Sequence, residues 1–359
     1  MTSILSILGQ ATTRPTADPL TDRATLIVLA GWGVVAVGLA VVTGVFRRES
    51  VVGPARLGER HALAPLLSSM FIGVGVWVAV PMFMLGVPTK PAGGPTTAAS
   101  QPAVAPANPV APAAPAYPPD KLVTVNLAAS LAACAAMLVS YLTMRHQAGG
   151  APRGAGLGLT PTEVRTGVWR GAVGAVMMTW LVFGVSIASE AVYRRVGYTH
   201  PKEHDLLRML GESRSPLWSA MFIASAVVVA PLFEEILFRG HLQTLLAGAM
   251  GRLGLTATGP AEEVRHPPAF DASPVLSYAS PPPAPAVVRP SALARWLAIF
   301  VTSVLFACIH PVWTIPPIFV LSLCIGYAYE RTGNLWVAIT MHALFNTTST
   351  VLFLTTRGT

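Results

Sequence analysis

Polar and charged side chains stand at regular spacing inside three apolar stretches in the C-terminal half of the chain. The stretches are Glu234-Glu235-Ile236-Leu237-Phe238-Arg239, Phe306-Ala307-Cys308-Ile309-His310 and His342-Ala343-Leu344-Phe345-Asn346. An ionisable group at the centre of a membrane helix costs about 2.5–3.5 kcal/mol on insertion scales, so such groups are kept for a function. Carboxylates, imidazoles and amides are groups that activate water and stabilise an oxyanion. Together the motifs have the composition of a hydrolytic site divided over three helices.

The first motif places a carboxylate and a guanidinium one helical turn apart. Glu235 and Arg239 are i,i+4 neighbours in a helix and can pair on one face. Glu234 lies about 100° around the helix, on an adjacent face. One carboxylate can therefore be held by the guanidinium while the other points at a cavity. The alternative is a helix end that emerges among lipid headgroups, where all three charges are simply solvated.

The second motif ends an apolar helix at His310, immediately before Pro311. Proline perturbs the helix there and leaves carbonyl groups near the imidazole without intrahelical partners. Phe306 lies one turn earlier on the same face, so its ring can pack on the imidazole and fix its orientation. Taken alone, this motif is more typical of an interfacial histidine than of a catalytic one.

The third motif places His342 and Asn346 at i,i+4, so both side chains project from one face of the last helix. Histidine can act as a base, a donor or a metal ligand, and the asparagine amide donates a fixed N–H. A donor pair of this kind can stabilise an oxyanion, where the loss of one donor costs about 2.7–4 kcal/mol in the transition state. The alternative is a polar contact between helices, which is worth about 0.6–2 kcal/mol.

The elements that carry these motifs are membrane helices. The chain is 53% hydrophobic and 11% charged, whereas soluble domains are about 25% charged. The net charge of +8 is spread over the loops, which indicates membrane topology and contact with anionic headgroups rather than nucleic-acid binding. We therefore expect an all-α fold, a polytopic bundle of about eight transmembrane helices. The predicted helices are 24–46, 62–86, 122–144, 168–189, 217–233, 293–310, 314–330 and 335–356.

Two proline-rich segments interrupt the helical pattern. Residues 88–119 hold ten prolines and lack apolar periodicity, so we expect a disordered or polyproline-like loop. Residues 255–292 form a second proline-rich insertion between the first and second motifs. The chain is accordingly divided into an N-terminal region, 1–150, with three transmembrane helices and the first loop, and a region 160–356 that carries the three motifs and the insertion.

The ordered trio of motifs resembles the CPBP family of intramembrane proteases, which includes the type II CAAX prenyl endopeptidase and many bacterial relatives. The family pattern EExxxR, FxxxH and HxxxN appears here as Glu234-Glu235…Arg239, Phe306…His310 and His342…Asn346. Residues 330–336, directly before the third motif, are also similar to family sequences. The resemblance covers roughly residues 160–356 and does not extend to the first three helices.

The resemblance implies an intramembrane endopeptidase, in which Glu234 and His310 activate a water for attack on the scissile carbonyl. It further implies that His342 and Asn346 stabilise the oxyanion, and that Glu235, Arg239 and Phe306 shape the site. Family members are usually described as metalloproteases, and zinc or another divalent metal could be held by Glu234, His310 and His342. A glutamate-based mechanism without metal uses the same residues. The chain contains neither an HExxH helix nor a GxSxG serine elbow.

The expected partners are the lipid bilayer and a membrane-associated protein or peptide substrate, with no nucleic acid. The bacterial relatives in the family point to the plasma membrane of a bacterium. Nothing in the sequence indicates whether the substrate is prenylated. The competing hypothesis is a non-catalytic membrane transporter or scaffold that uses the polar cluster for binding, because intramembrane carboxylates and histidines also form proton relays.

Overall fold

The computed structural model describes residues 63–85, 118–147, 157–200, 210–211, 215–256 and 290–356. Most of these residues are helical, and the described part contains no β-strand, so the predicted all-α fold is confirmed. The helices are α1 (Leu63–Leu85), α2 (Pro119–Gln147), α3 (Val164–Arg195), α4 (Pro216–Arg252), α5 (Ala292–Cys308), α6 (Ile315–Thr332) and α7 (Leu335–Thr356). Short 3₁₀ turns, Pro161–Glu163 and Val312–Thr314, precede α3 and α6.

Six of these helices are long and apolar enough to cross a membrane, and the chain is an integral, multi-pass membrane protein. The exception is α5, which has 17 residues. At 1.5 Å per residue it is about 26 Å long, against a hydrocarbon core of about 30 Å. The described residues therefore hold six long spans and one shorter helix, where the sequence predicted about eight spans. The first predicted helix, 24–46, lies outside the described residues.

Helix α4, which carries the first motif, is continuous but contains two π-helical segments, Ser225–Val229 and Ile236–Gln243. Such turns are rare in proteins and are frequently found at functional sites. The first has a cause in the sequence. Ala230 donates its N–H to the carbonyl five residues earlier, and the next residue, Pro231, has no N–H to offer the carbonyl of Ala226. That carbonyl is consequently open to a side-chain donor.

The second π-helical segment follows directly after the two glutamates. Its carbonyl groups are partly satisfied by side chains of the same helix. His241 Nδ1 bonds the carbonyl of Ile236 at 2.7 Å, and Thr244 Oγ1 donates to the carbonyl of Arg239 at 3.0 Å. Each of these contacts spans five residues, which is the spacing of a π turn. The sequence patterns did not predict this change of helical period.

Glycine residues let α3 approach α7, the helix that carries the third motif. A Cβ atom at Gly171 would lie 2.6 Å from the Cβ of Thr340, and one at Gly174 would lie 2.8 Å from the Sδ of Met341. Small residues allow this close packing of membrane helices. Because Thr340 and Met341 immediately precede His342, the contact fixes the position of the third motif.

The turn between α6 and α7 is held by the segment that leads into α3. Leu335 donates its N–H to the carbonyl of Gly158 at 3.0 Å, and Asn334 Nδ2 donates to the carbonyl of Glu163 at 3.2 Å. Gly158 has φ +74°, and a Cβ there would lie 2.1 Å from the carbonyl oxygen of Gly333. Only glycine fits this crossing of two backbones, so the entry to α7 is tightly defined.

The two ends of the predicted insertion, 255–292, are joined. Ser291 donates its N–H to the carbonyl of Leu255 at 2.8 Å, and its side chain accepts from the N–H of Ala294 as the N-cap of α5. This brings the start of α5 to the end of α4 despite the length of chain between them. The interior of the insertion and nearly all of the predicted loop 88–119 lie outside the described residues.

Helices α1 and α2 pack against each other and against α4. The ring of Trp77 on α1 stacks on Phe233, with centroids 5.7 Å apart and planes 19° apart. Phe233 directly precedes the two glutamates, so the N-terminal helices contribute to the surroundings of the first motif. The predicted division of the chain into 1–150 and 160–356 stays a prediction.

Candidate active site

Glu235 links two of the three motifs through one carboxylate oxygen. Its Oε1 accepts from Arg239 Nη1 at 2.8 Å and lies 2.7 Å from His342 Nδ1. The side chains of Glu235 and Arg239 are completely buried, and that of His342 is 4% exposed. The i,i+4 pair expected from the sequence is therefore present, in the interior of the bundle rather than among headgroups.

Glu234 reaches the same histidine from the other side of the imidazole. Its Oε2 lies 3.8 Å from His342 Nε2, and 21% of its side chain is exposed. Glu234 is thus partly exposed whereas the adjacent Glu235 is completely buried. One carboxylate is enclosed by partners and the other is partly exposed. The different roles expected for the two carboxylates stay a prediction.

Arg239 is held by α6 as well as by Glu235. Its Nη2 donates to the Oγ of Ser322 at 2.7 Å and to the carbonyl of the same residue at 3.2 Å. The guanidinium carbon lies 4.7 Å from the centroid of the Phe306 ring. Hydrogen bonds between membrane helices contribute about 0.6–1.7 kcal/mol each. Arg239 therefore joins α4, α5 and α6 at the level of the site.

Phe306 is the packing centre of the site. Its ring centroid is 4.9 Å from that of His310 and 5.9 Å from that of His342. The ring of Phe238 packs edge-on against that of Phe306, with centroids 5.0 Å apart. The side chain of Phe306 is fully buried. The packing of Phe306 on His310 that the spacing indicated is present. The ring also positions His342, which the spacing did not indicate.

His310 lies beyond the end of α5 and not within it, which corrects the predicted helix 293–310. The helix ends at Cys308 because the residue before a proline is disfavoured in the α conformation. His310 Nδ1 bonds the carbonyl of Phe306 at 2.7 Å, a carbonyl near the helix end.

Asn346 connects α7 to the first π-helical segment of α4. Its Nδ2 donates to the carbonyl of Ala226 at 2.8 Å, the carbonyl that Pro231 leaves without a backbone donor. His342 and Asn346 both face α4, as their spacing indicated. One of the two amide hydrogens of Asn346 is therefore engaged in a contact between helices, and the second remains to serve as a donor.

The hydrogen bonds define which nitrogen of each imidazole carries a proton. A carbonyl or an ionised carboxylate can only accept, so Nδ1 is protonated in both His310 and His342. In the neutral form, Nε2 of each ring is then an acceptor. With both carboxylates ionised, the cluster of Glu234, Glu235, Arg239 and His342 carries a net charge of −1 when the imidazole is neutral and no net charge when it is protonated.

The metal site expected at Glu234, His310 and His342 stays a prediction. Within the described residues, no group of three or more His, Cys, Asp or Glu side chains is arranged to hold a metal ion. Each of the two imidazoles has an oriented Nδ1–H, which is typical of a metal-binding histidine. No step of the mechanism proposed below goes through a metal.

A second buried polar cluster lies further along α4 and escaped the sequence reasoning. Gln243 Nε2 donates to Glu330 Oε2 at 3.2 Å, and Glu330 Oε1 pairs with Arg295 Nη1. The signal was available, because Arg295 and Glu330 are charged residues inside apolar stretches. Ser322, which accepts from Arg239, gave no signal, since a serine in a membrane helix is common.

The helices that carry the site match a known protein family. A model described as Rce1-like, type II CAAX prenyl endopeptidase Rce1-like, matches residues 216–280 and 283–348. Residues 216–348 match the Rce1-like family. The match is consistent with the CPBP family and covers α4 to within α7, including every residue of the three motifs. It supports a membrane protease with a membrane-associated peptide substrate. Comparisons with curated proteins and with solved structures gave no match.

Proposed function

We propose that the protein is an intramembrane endopeptidase that hydrolyses a peptide bond in a membrane-associated protein or peptide. The observation that carries the proposal is the buried chain of contacts from Arg239 through Glu235 to His342, with Glu234 3.8 Å from the far nitrogen of the same imidazole. A partly exposed carboxylate beside an imidazole that is oriented by a second carboxylate is suited to general acid–base chemistry. The family match and the multi-pass helices support the same function.

In the proposed mechanism, Glu234 accepts a proton from a water molecule as the water oxygen attacks the scissile carbonyl. His310, neutral and oriented by the carbonyl of Phe306, accepts a second hydrogen bond from that water through Nε2. The tetrahedral intermediate then collapses, and the proton held by Glu234 passes to the leaving nitrogen. The one proton that Glu234 takes from water thus ends on the amine product, and the water oxygen ends in the carboxyl product.

His342 and Asn346 serve as oxyanion donors in this proposal. His342 must be protonated to donate through Nε2, and the carboxylate of Glu235 on Nδ1–H stabilises that imidazolium, as an aspartate does in a serine protease triad. Asn346 contributes its second amide hydrogen. The loss of one such donor typically costs about 2.7–4 kcal/mol in the transition state.

The substrate class is tested by the same peptide in two forms. A membrane-tethered fluorogenic peptide that ends in a CAAX-type sequence is offered with and without a prenyl group, because the matched family is described as a CAAX prenyl endopeptidase. Preference for the prenylated form supports that substrate, and equal cleavage supports a broader peptidase.

We further propose the plasma membrane of a bacterium as the location of the protein. Fractionation of membranes tests this location.

The central experiment compares Glu234→Gln and His310→Gln with the parent protein in lipid nanodiscs. We expect Glu234→Gln to lower kcat by at least about 100-fold, since a general base contributes 10²–10⁴. Glu163→Gln and His146→Gln are matched controls, because both side chains are exposed and far from the site in sequence. Cleavage at the parent rate by both site variants, in well-folded protein, would falsify the proposed function.

A further inference from the structure

Residues that make polar contacts, through side chains or a backbone carbonyl, recur at four-residue steps along the facing sides of α4 and α6. On α4 they are Glu235, Arg239 and Gln243, and on α6 they are Ser322, Gly326 and Glu330. Four residues correspond to an advance of about 6 Å along the α-helical α6, whereas residues Ile236–Gln243 of α4 are π-helical, so the alignment of the two series is defined by their contacts. Arg239 contacts Ser322, and Gln243 contacts both Gly326 and Glu330. The contacts form two rungs between the helices, of which the Arg239 rung belongs to the site.

The Gln243 rung depends on a glycine. Gln243 Nε2 donates to the carbonyl of Gly326 at 3.1 Å as well as to Glu330 Oε2 at 3.2 Å. A Cβ at Gly326 would lie 2.8 Å from Gln243 Oε1 and 3.2 Å from a methyl carbon of Ile299. The amide therefore occupies the space that any other residue at position 326 would fill.

The rung also fixes α5. Arg295, in the first turn of that helix, pairs with Glu330, and both side chains are almost completely buried. Glu330 thus contacts α4 through Gln243 and α5 through Arg295. Helix α4 carries Glu235, and α5 leads to His310. Both helices therefore contact the same carboxylate, that of Glu330 on α6.

We propose that Gln243 and Glu330 are positioning residues, which set the register of α4 and α5 on α6 and so align Glu235 and His310 for the reaction. The inference rests on the proposed function. Apolar contacts between membrane helices are non-directional, and lipid is as apolar as the packed side chains. The hydrogen bonds of the two rungs, in contrast, are directional and form together in one register only. A displacement of 1 Å at a catalytic group can lower the rate by about 100-fold.

The test uses Gln243→Met, which keeps a side chain of similar length and removes both hydrogen bonds. Gly326→Ala is a second variant that displaces the same amide with a single methyl group, in case the first does not fold. Thr302→Val is the matched control, because Thr302 Oγ1 is buried on α5 without a hydrogen-bond partner. Each protein is measured for kcat and KM, and the Nδ1–H signal of His342 is recorded by nitrogen-edited NMR.

We expect Gln243→Met to lower kcat about 10- to 100-fold with little change in KM, and to shift the His342 signal, while Thr302→Val matches the parent. A parent-like kcat together with an unmoved His342 signal overturns the proposal, and so does a loss of activity without any shift. If the parent itself cleaves nothing, the proposed function fails, and the His342 signal alone then decides whether the rung sets the geometry of the site.

Discussion

Replacing Arg239 by methionine should show that Glu235 is a buried charge held by a buried partner. Both side chains are completely buried and joined at 2.8 Å. Removing one partner of such a pair costs about 3–5 kcal/mol, because an uncompensated charge remains. Two further hydrogen bonds from Arg239 to Ser322 are lost as well. His342 still contacts the carboxylate at 2.7 Å, so we expect a loss near the lower limit, about 3 kcal/mol.

The double variant Arg239→Met with Glu235→Gln separates the charge effect from packing. Glutamine keeps an oxygen that can accept from His342 Nδ1–H but carries no charge, so the double variant should recover at least half of the lost stability. Its activity should remain at least about 100-fold below that of the parent, because a neutral amide supports the imidazolium poorly.

The assay is unfolding in mixed micelles with increasing dodecyl sulfate, followed by far-ultraviolet circular dichroism. The free energy of unfolding is compared among the parent, Arg239→Met and the double variant. The reasoning is refuted if Arg239→Met costs less than about 1 kcal/mol, or if the double variant is no more stable than the single one. Either result would mean that Glu235 does not carry a buried charge in the folded protein.

Three further predictions concern packing, the α6 contact and the metal. Gly171→Ala should destabilise the protein by about 1–3 kcal/mol, because the new methyl group meets Thr340. Gly184→Ala should be neutral, since nothing lies within 4 Å of the added atom. Thermal unfolding of the two variants compares these effects. Ser322→Ala should lower the free energy of unfolding by about 0.6–1.7 kcal/mol. Ser69→Ala should lower it by less, because the equally buried Ser69 donates to carbonyls of its own helix. A larger effect at Ser69 than at Ser322 would contradict the role given to the contact with α6. Proteolysis should persist after exhaustive chelation, with less than stoichiometric zinc by elemental analysis; activity that is lost with the metal and restored by its return would show that the side chains rearrange around an ion.

Most of the fold could be predicted from the sequence, because membrane helices are recognised by their length and apolar composition. Helices such as α1 and α7 needed only an apolar run of about 20 residues. The end of α5 was misplaced, because His310 continues the apolar pattern and only the backbone restriction before Pro311 ends the helix. The π-helical segments were missed because side-chain periodicity over a few residues does not distinguish an α turn from a π turn.

The site was predictable where both partners lie on one helix, and less so where they lie on different helices. Glu235 and Arg239 are one turn apart, so their pairing follows from spacing alone. The contact of Glu235 with His342 joins residues 107 positions apart, and only the packing of α7 on α3 and α4 brings them together. Asn346 shows the same limit, since its partner carbonyl is available only because of Pro231.

The two buried polar clusters differ in charge balance, and this difference separates a structural pair from a reactive site. Arg295 and Glu330 carry one charge of each sign and pair directly. Such a pair is neutral without any change of protonation, which suits the positioning role inferred for Glu330. The cluster around Arg239 contains two carboxylates for one guanidinium, so with both carboxylates ionised it is neutral only when the imidazole of His342 carries a second proton.

That dependence matches the charge changes of the proposed reaction. When His342 is protonated, the active-site cluster is neutral before a substrate reacts. When Glu234 then takes a proton from water, the cluster gains one positive charge while the oxyanion gains one negative charge beside it. The site as a whole stays neutral through the step that creates charge, which is the condition for an ionic intermediate in a medium of low dielectric constant.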